Sequence, residues 1–166
     1  MVGGRDIKGY DGFSKMRDSE IKAWINLLPN TGTVLEIGTL MGVSCAIASR
    51  VKPNLKFICL DISPAYFEWK RNRTPNMNLF VGTSINLAEI VEEKFDHIYI
   101  DGSHLKEWVL IDLECALKMI KPNGIICGHD YYENKKANEG NIFVREALIE
   151  SGKPFEIVSG SLWKLK

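Results

Sequence analysis

"TVLEIGTLMGVSCAIASR", residues 33–50, decides how this chain is to be read. A short apolar run ends at Gly38, a turn with a second glycine at Gly42 follows, and a helical pattern begins at once. Strand, glycine turn and helix in that order make one β-α unit of a parallel sheet, because parallel neighbours need a crossover between them.

The same alternation extends outward from this unit. "KFICLD" (56–61), "NLFVG" (78–82), "FDHIYID" (95–101) and "NGIICGHD" (123–130) read as further strands, each followed by a capped or periodic helical segment. Ser63-Pro64 ahead of "AYFEWKRNR" predicts an N-cap with proline at the first helical position. At the other end, "KPFEIVSGSLWKLK" (153–166) holds two strand-like runs joined at Ser159-Gly160 with no room for a helix. That predicts a hairpin, and hence a last strand antiparallel to the rest. Upstream, "DSEIKAWINLLPN" (18–30) sets Ile21, Trp24, Ile25 and Leu28 at helical spacing, with Asp18 or Ser19 as N-cap and Pro29 as the stop. The Gly-rich, charged residues 1–17 read as a loop or mobile arm.

Totals narrow the function classes. At 166 residues and 45% hydrophobic, the chain can bury one substantial core and is too short for two ordinary domains. Lys plus Arg and Asp plus Glu are equal at 21 each, which gives no basic field for nucleic acid and no acidic tail. A small-molecule partner is expected. Cys45, Cys59, Cys115 and Cys127 sit in apolar stretches without CxxC pairing, as buried free thiols of a reducing compartment do. With no apolar leader and no run near the ~18 residues of a membrane span, the expectation is a soluble, cytoplasmic protein with no membrane partner.

In an open α/β sheet, ligands bind outside the carboxyl ends of the strands, near the point where the winding reverses. Gly38 and Gly42 let the backbone approach an anionic group there. The dinucleotide fingerprint fails, since its second and third glycines would fall on Leu40 and Val43, and there is no G-x-x-x-x-G-K-[ST]. Asp61 stands where an acid accepts hydrogen bonds from ribose hydroxyls, although it could equally cap the next helix. Gly82-Thr83-Ser84 suits either an adenine slot or a helix start. Together these features favour an adenosine-type ligand.

"VLEIGTLMGVS", Asp61, "VGTS", "FDHIYIDGSH" and "KPNGIICGHDYY", in that order, resemble the class I S-adenosylmethionine-dependent methyltransferases. Within them the chain is similar to a small O-methyltransferase-like group marked by F-D-x-I-x-I-D-G-x-H, which includes macrolide-sugar O-methyltransferases. The resemblance covers about residues 33–166. It implies an α/β fold of the Rossmann-like kind: a three-layer sandwich with a mostly parallel seven-stranded sheet, the last strand antiparallel, and one extra N-terminal helix. Residues 1–32 would be arm and helix, and 33–166 the S-adenosylmethionine-binding part of a single domain. It places Glu36, Gly38, Thr39, Gly42 and Ser44 around the methionine part of the cofactor, Asp61 and Ile62 at the ribose, and Gly82, Thr83 and Ser84 near adenine. Asp101 and His104 border the reacting methyl. Two departures stand out: Leu40 replaces a common middle glycine, and Thr83 replaces an acid that in some members meets the adenine amine.

Methyl transfer from a sulfonium is an in-line displacement, so catalysis is mostly alignment, and a hydroxyl acceptor additionally needs a base or a metal ion. If Asp101 and Asp130 end neighbouring strands ~4.8 Å apart, their carboxylates meet at one point, a donor pair suited to Mg²⁺. Some members of the resembled group use Mg²⁺ at these strand ends. His104, expected on the first turn of the following helix, is the candidate base, with a helix cap or cofactor contact as the alternative. His129 and Asp130, adjacent on extended chain, should face opposite ways, which gives the cleft to Asp130. His97 reads as a core residue. Trp108 and Asp112 follow His104 at i+4 and i+8; shielding the cofactor and orienting an imidazole or cation are the functional readings, with core packing and a solvated charge as their default roles. The polar stretch "YYENKKANEGN" offers Tyr131, Tyr132 and Glu133 as substrate contacts.

The expected activity is O-methylation of a small hydroxylated molecule such as a sugar or sugar-bearing metabolite, with His104, Asp101 and Asp130 as the catalytic set. A homo-oligomer is compatible with this. The rivals are a cofactor-binding module completed by a partner subunit, an N-methyltransferase, and a nucleotide-dependent oxidoreductase.

Overall fold

The computed structural model describes residues 5–6, 13–14, 16–133 and 142–166. Most of the expected arm, and residues 134–141 of the polar stretch, lie outside them. Within the arm, β1 (Arg5–Asp6) and β2 (Phe13–Ser14) pair antiparallel, where a loop was expected.

Helix α1 (Asp18–Leu27) begins one residue before its expected cap, at Arg17, because the Glu20 carboxylate reaches back to accept the Arg17 N–H at 2.6 Å. It ends at Leu28, which Pro29 forces into extended geometry. Then β3 (Gly32–Ile37), α2 (Val43–Val51), β4 (Leu55–Asp61), α3 (Tyr66–Asn72), β5 (Met77–Val81), α4 (Ser84–Ile90), β6 (Phe95–Ile100), α5 (Lys106–Met119) and β7 (Ile120–Gly128) alternate as the sequence predicts. Helix α3 starts later than Ser63-Pro64 suggests, with Ala65 at its N-cap, and the Ser63 N–H donates to the Asp61 carboxylate at 2.8 Å. After α6 (Ile142–Glu150), β8 (Phe155–Ser159) and β9 (Leu162–Leu165) form the hairpin.

The seven-stranded sheet has the order β5-β4-β3-β6-β7-β9-β8. Strands β3 to β7 pair parallel, and β9 runs antiparallel between β7 and β8. The winding goes from β3 out to β5, then returns to β6 on the other side of β3. That reversal puts the ligand-accepting crevice at the carboxyl ends of β3, β4 and β6.

Successive strand residues point to opposite faces, and both faces are covered, so the strands read as continuous apolar runs. On β3, Val34 joins Trp24, Phe57, Trp69 and Met77 in one core, while Leu35 joins Leu113, Leu148 and Trp163 in the other. All four cysteines are free and buried. No helix among the described residues is long and apolar enough to cross a membrane.

His97 is a core residue, as expected. Its Nε2 accepts the Trp24 indole N–H at 3.1 Å, and burial lowers its pKa to about 3 from 6.5. Below about pH 6.5 the unfolded chain therefore takes up a proton that the native state refuses; stability is full above that pH and declines as pH falls toward 3. Urea unfolding between pH 7.5 and 4.5 should show the wild type losing about 1.4 kcal/mol per pH unit more than His97→Gln on the acid side. Parallel profiles would contradict a neutral native His97.

Candidate active site

The turn after β3 forms one wall of a cavity of about 430 Å³, within the ~300–1,000 Å³ usual for small-molecule sites. Gly38 has φ +92°, and a Cβ there would come within 2.3 Å of the Asp101 carbonyl oxygen, so only glycine lets this turn lie against the end of β6. Its N–H donates to Leu60 O at 2.8 Å, and that of Thr39 to the same oxygen at 3.1 Å, which pins the turn to β4. Below the turn, the buried Glu36 carboxylate accepts from the hydroxyls of Thr39 and Ser44. Burial raises its pKa, and those two hydroxyls oppose the rise.

Leu40, at the position of the missing middle glycine, has φ +45°. A non-glycine residue in this region costs on the order of 1–3 kcal/mol. Two bonds hold it there: the Leu40 N–H donates to Asp61 Oδ2 at 2.8 Å, and its carbonyl accepts the Ala65 N–H at 3.1 Å. Asp61 also accepts the Ser63 N–H through Oδ1 at 2.8 Å. Its carboxylate thus ties the turns after β3 and β4 together, and each oxygen keeps a second lone pair for a ligand hydroxyl.

Of the residues picked out in the sequence, Gly38, Thr39, Ser44, Asp61, Ile62, Gly82, Ser84, Asp101, His104 and Asp130 line this one cavity. Glu36, Gly42 and Thr83 do not. Glu36 lies beneath the turn, and Gly42 at φ +72° faces the Trp69 ring, where a Cβ would clash at 2.6 Å. Thr83 caps α4: its Oγ1 accepts the Asn86 N–H at 3.2 Å, and its own N–H donates to Asn86 Oδ1 at 3.1 Å.

Trp108 and Asp112 also line the cavity, against their default assignments. Trp108 is 41% exposed rather than packed in the core, and Asp112 is buried rather than solvated, accepting the Ser84 Oγ–H at 2.6 Å. Their spacing after His104 was the signal; what it lacked was knowledge that this helix face meets the cavity.

His104 lies two residues ahead of α5 rather than within it, and its Nε2 sits 2.6 Å from Asp130 Oδ2. Asp130 has φ +62°, which breaks the extended alternation just after β7 ends. His129 and Asp130 therefore do not face opposite ways. His129 Nδ1 lies 3.5 Å from Asp130 Oδ1 and 4.0 Å from Asp101 Oδ1. On the other side of its ring, Nε2 is 2.9 Å from Ser161 Oγ and 3.3 Å from Glu20 Oε2. Glu20 Oε1 in turn accepts the Ser161 N–H at 2.8 Å and its hydroxyl at 3.0 Å.

The result is a chain of alternating charge from α1 to the cavity. Burial by itself would raise the Glu20 pKa, but hydrogen bonds from His129, Ser161 and Arg17 bring it to about 2. For His129, burial would lower the pKa; Asp130, Glu20 and Asp101 outweigh it and raise it to about 10, so the ring is an imidazolium at neutral pH. Asp130 is held well below the usual carboxylate range by His104 and His129 against the effect of burial. Burial, reinforced by Asp130 and Glu36 and opposed by His129 and His104, pushes Asp101 up to about 7. Sequence reasoning had no means to find Glu20, whose partner Ser161 lies 141 positions away.

A methyltransferase-domain family matches residues 35–131. The chain belongs to this family. As an S-adenosylmethionine-dependent methyltransferase it shares its fold with a Staphylococcus aureus protein provisionally assigned as a caffeoyl-CoA O-methyltransferase, at TM-score 0.71 and 15% identity over 91% of this chain and 84% of that one. It is also similar to CalS11, a TDP-rhamnose 3'-O-methyltransferase of calicheamicin biosynthesis, at TM-score 0.59 and 20% identity over 89% and 76% of the two chains. A third similar structure is a Geobacter sulfurreducens S-adenosylmethionine-dependent methyltransferase in complex with S-adenosylhomocysteine, at TM-score 0.60 and 13% identity over 87% and 66%. No curated protein matches the sequence.

Removing Glu20 would strand the buried His129 charge. Glu20→Ala should cost about 3–5 kcal/mol of stability in urea unfolding at pH 7.5, and the same change in a His129→Leu background should cost clearly less. Equal costs in the two backgrounds would show that the two side chains are not coupled.

Proposed function

We propose that this methyltransferase methylates a hydroxyl of a small molecule such as a sugar or sugar-bearing metabolite, with His104 as general base. The observation that carries the reading is the 2.6 Å contact between His104 Nε2 and Asp130 Oδ2 at the cavity. Nε2 faces the ionised Asp130 carboxylate at that distance, which favours a proton on this nitrogen and makes Nδ1 the basic nitrogen of the ring, the way a carboxylate orients a catalytic imidazole. A hydroxyl acceptor needs such a base, whereas a neutral amine attacks without one. The name of one neighbour of the same fold, a TDP-rhamnose 3'-O-methyltransferase, supports the sugar reading.

S-adenosylmethionine supplies an electrophilic methyl on its sulfonium. The chain's part is to hold and align. Asp61 accepts the ribose hydroxyls, the Gly38-Thr39 turn seats the methionine end, and Gly82 and Ser84 border the base. His104 takes the acceptor's proton through Nδ1, while the charge of Asp130 favours the proton on Nε2. Asp101, with its pKa near 7, stands beside the transfer point as a hydrogen-bonding group.

Mg²⁺ fits these residues poorly. Asp101, His104 and Asp130 each bring one ligand atom within 4.8 Å of the others, but two carboxylates and an imidazole form a softer donor set than Mg²⁺ prefers. The His129 imidazolium also lies against the same two carboxylates, where it already supplies positive charge.

A screen of hydroxylated acceptors with methyl-labelled S-adenosylmethionine, run with EDTA and with added Mg²⁺, should find turnover that EDTA leaves intact. On the acceptor found, His104→Ala should lower kcat by about 100-fold or more while S-adenosylhomocysteine affinity stays within about twofold. Equal loss of both would make His104 a binding residue. Calorimetry should show Asp61→Ala weakening S-adenosylhomocysteine at least about tenfold, since it removes hydrogen bonds to a charged acceptor. Unchanged affinity would take Asp61 out of the ribose site.

A further inference from the structure

Beneath the cavity floor a second group of metal-ligating side chains converges. Glu36 of β3 and Cys59 of β4 are cross-strand partners in register, so their side chains stand side by side on the face of the sheet that α2 covers. Helix α2 brings Cys45 onto the same spot. One donor atom from each of Glu36, Cys45 and Cys59 lies within 4.8 Å of the other two, and all three residues are buried.

This group differs in chemistry from the apolar core around it. Among the described residues the partners of the Glu36 carboxylate are the Thr39 and Ser44 hydroxyls and the Cys45 thiol, none of them a cation, while Asp61 acts on it with like charge. Burial raises the pKa of Glu36 and of Cys45, and Cys59 and Glu36 push the Cys45 thiol further up. A bound cation would reverse each of these effects, since it favours both the carboxylate and the thiolates. Two sulfurs and one oxygen suit a borderline-soft ion that accepts tetrahedral geometry, which fits Zn²⁺ and not Mg²⁺ or Ca²⁺. Thr39 and Ser44 line the cavity and bond to Glu36, which gives such an ion an entry path and leaves its fourth corner to a water.

We propose that Glu36, Cys45 and Cys59 form a binding site for a thiophilic divalent ion of the Zn²⁺ type, and that its occupation opposes cofactor binding. Two S–H bonds break, two metal–sulfur bonds and one metal–carboxylate bond form, and both thiol protons pass to solvent, so affinity rises with pH. The opposition comes through Glu36. A carboxylate committed to a metal accepts less well from Thr39 and Ser44, which hold the turn where the methionine end of the cofactor is seated. This second half rests on the cofactor reading of the cavity; the metal site itself does not.

Cd²⁺ is the probe, because its thiolate charge-transfer absorption reports sulfur-bound metal and is silent for an ion on Asp101, His104 and Asp130. Titration of the wild type at pH 7.5, in a phosphine reductant, should give this band saturating at one ion per chain with native circular dichroism retained. Cys45→Ala and Cys59→Ala should each weaken Cd²⁺ at least about 100-fold, beyond the ~10–100-fold cost of losing an outer-shell contact, whereas the double variant Cys115→Ala, Cys127→Ala should keep the band. In calorimetry, bound Cd²⁺ should weaken S-adenosylhomocysteine at least about tenfold in wild type and leave it unchanged in Cys45→Ala, and saturating S-adenosylhomocysteine should weaken Cd²⁺ by the same factor. No band in wild type, or a band that grows only as native circular dichroism is lost, would overturn the site without recourse to any variant. A band that survives both single replacements would overturn it as well. Unchanged S-adenosylhomocysteine affinity beside a full band would overturn the opposition. Wild type that shows the band but binds no S-adenosylhomocysteine in the absence of metal would instead overturn the cofactor reading and leave the metal site standing.

Discussion

The closeness with which the turn after β3 meets the end of β6 is the constraint on which the rest of the site depends. Gly38 lies against Asp101 and Gly102 so tightly that a single added carbon would overlap the backbone of both. Because β3 and β6 are parallel neighbours at the reversal of the winding, this contact brings a cofactor-type turn and an acid-bearing strand end to one cavity. Asp61 then locks the arrangement from the β4 side by taking one backbone N–H from each of two turns. It also holds Leu40 in the conformation a glycine would adopt without cost.

Behind the cavity, four titratable groups form one paired series. Glu20, His129, Asp130 and His104 alternate in sign or proton demand, and Ser161 from the β8–β9 hairpin completes the link. Isolated charges at these depths would shift to neutrality or destabilise the fold, whereas a paired series is tolerated and holds its members in place. An element outside the matched family region, helix α1, thereby acts at the site through Glu20.

Much of this was legible in the chain. The alternation of apolar runs with capped segments predicts the parallel sheet, and Ser159-Gly160 predicts the hairpin that β9 and β8 form. The residues that end strands, from Gly38 to Asp130, were readable because their place follows from the fold alone. Less legible were residues whose role depends on a partner far away in sequence. Thr83 could be read as lining adenine or as starting a helix, and only the fold shows it capping α4; Asp112 was expected in solvent and is buried against Ser84. Asp130 lines the cavity and His129 does not, as expected, yet the positive φ of Asp130 brings the His129 ring within 3.5 Å of its carboxylate instead of turning it away.

The sequence by itself determined the periodic pattern, the glycine positions and the identity of the strand-end side chains, because these rest on local propensity and on which face of a strand or helix can be buried. The tertiary structure alone decided which of those side chains meet. Pairings such as Glu20 with Ser161 and His104 with Asp130 follow from how helices and strand ends pack around the sheet, and the charge each group carries follows from that packing.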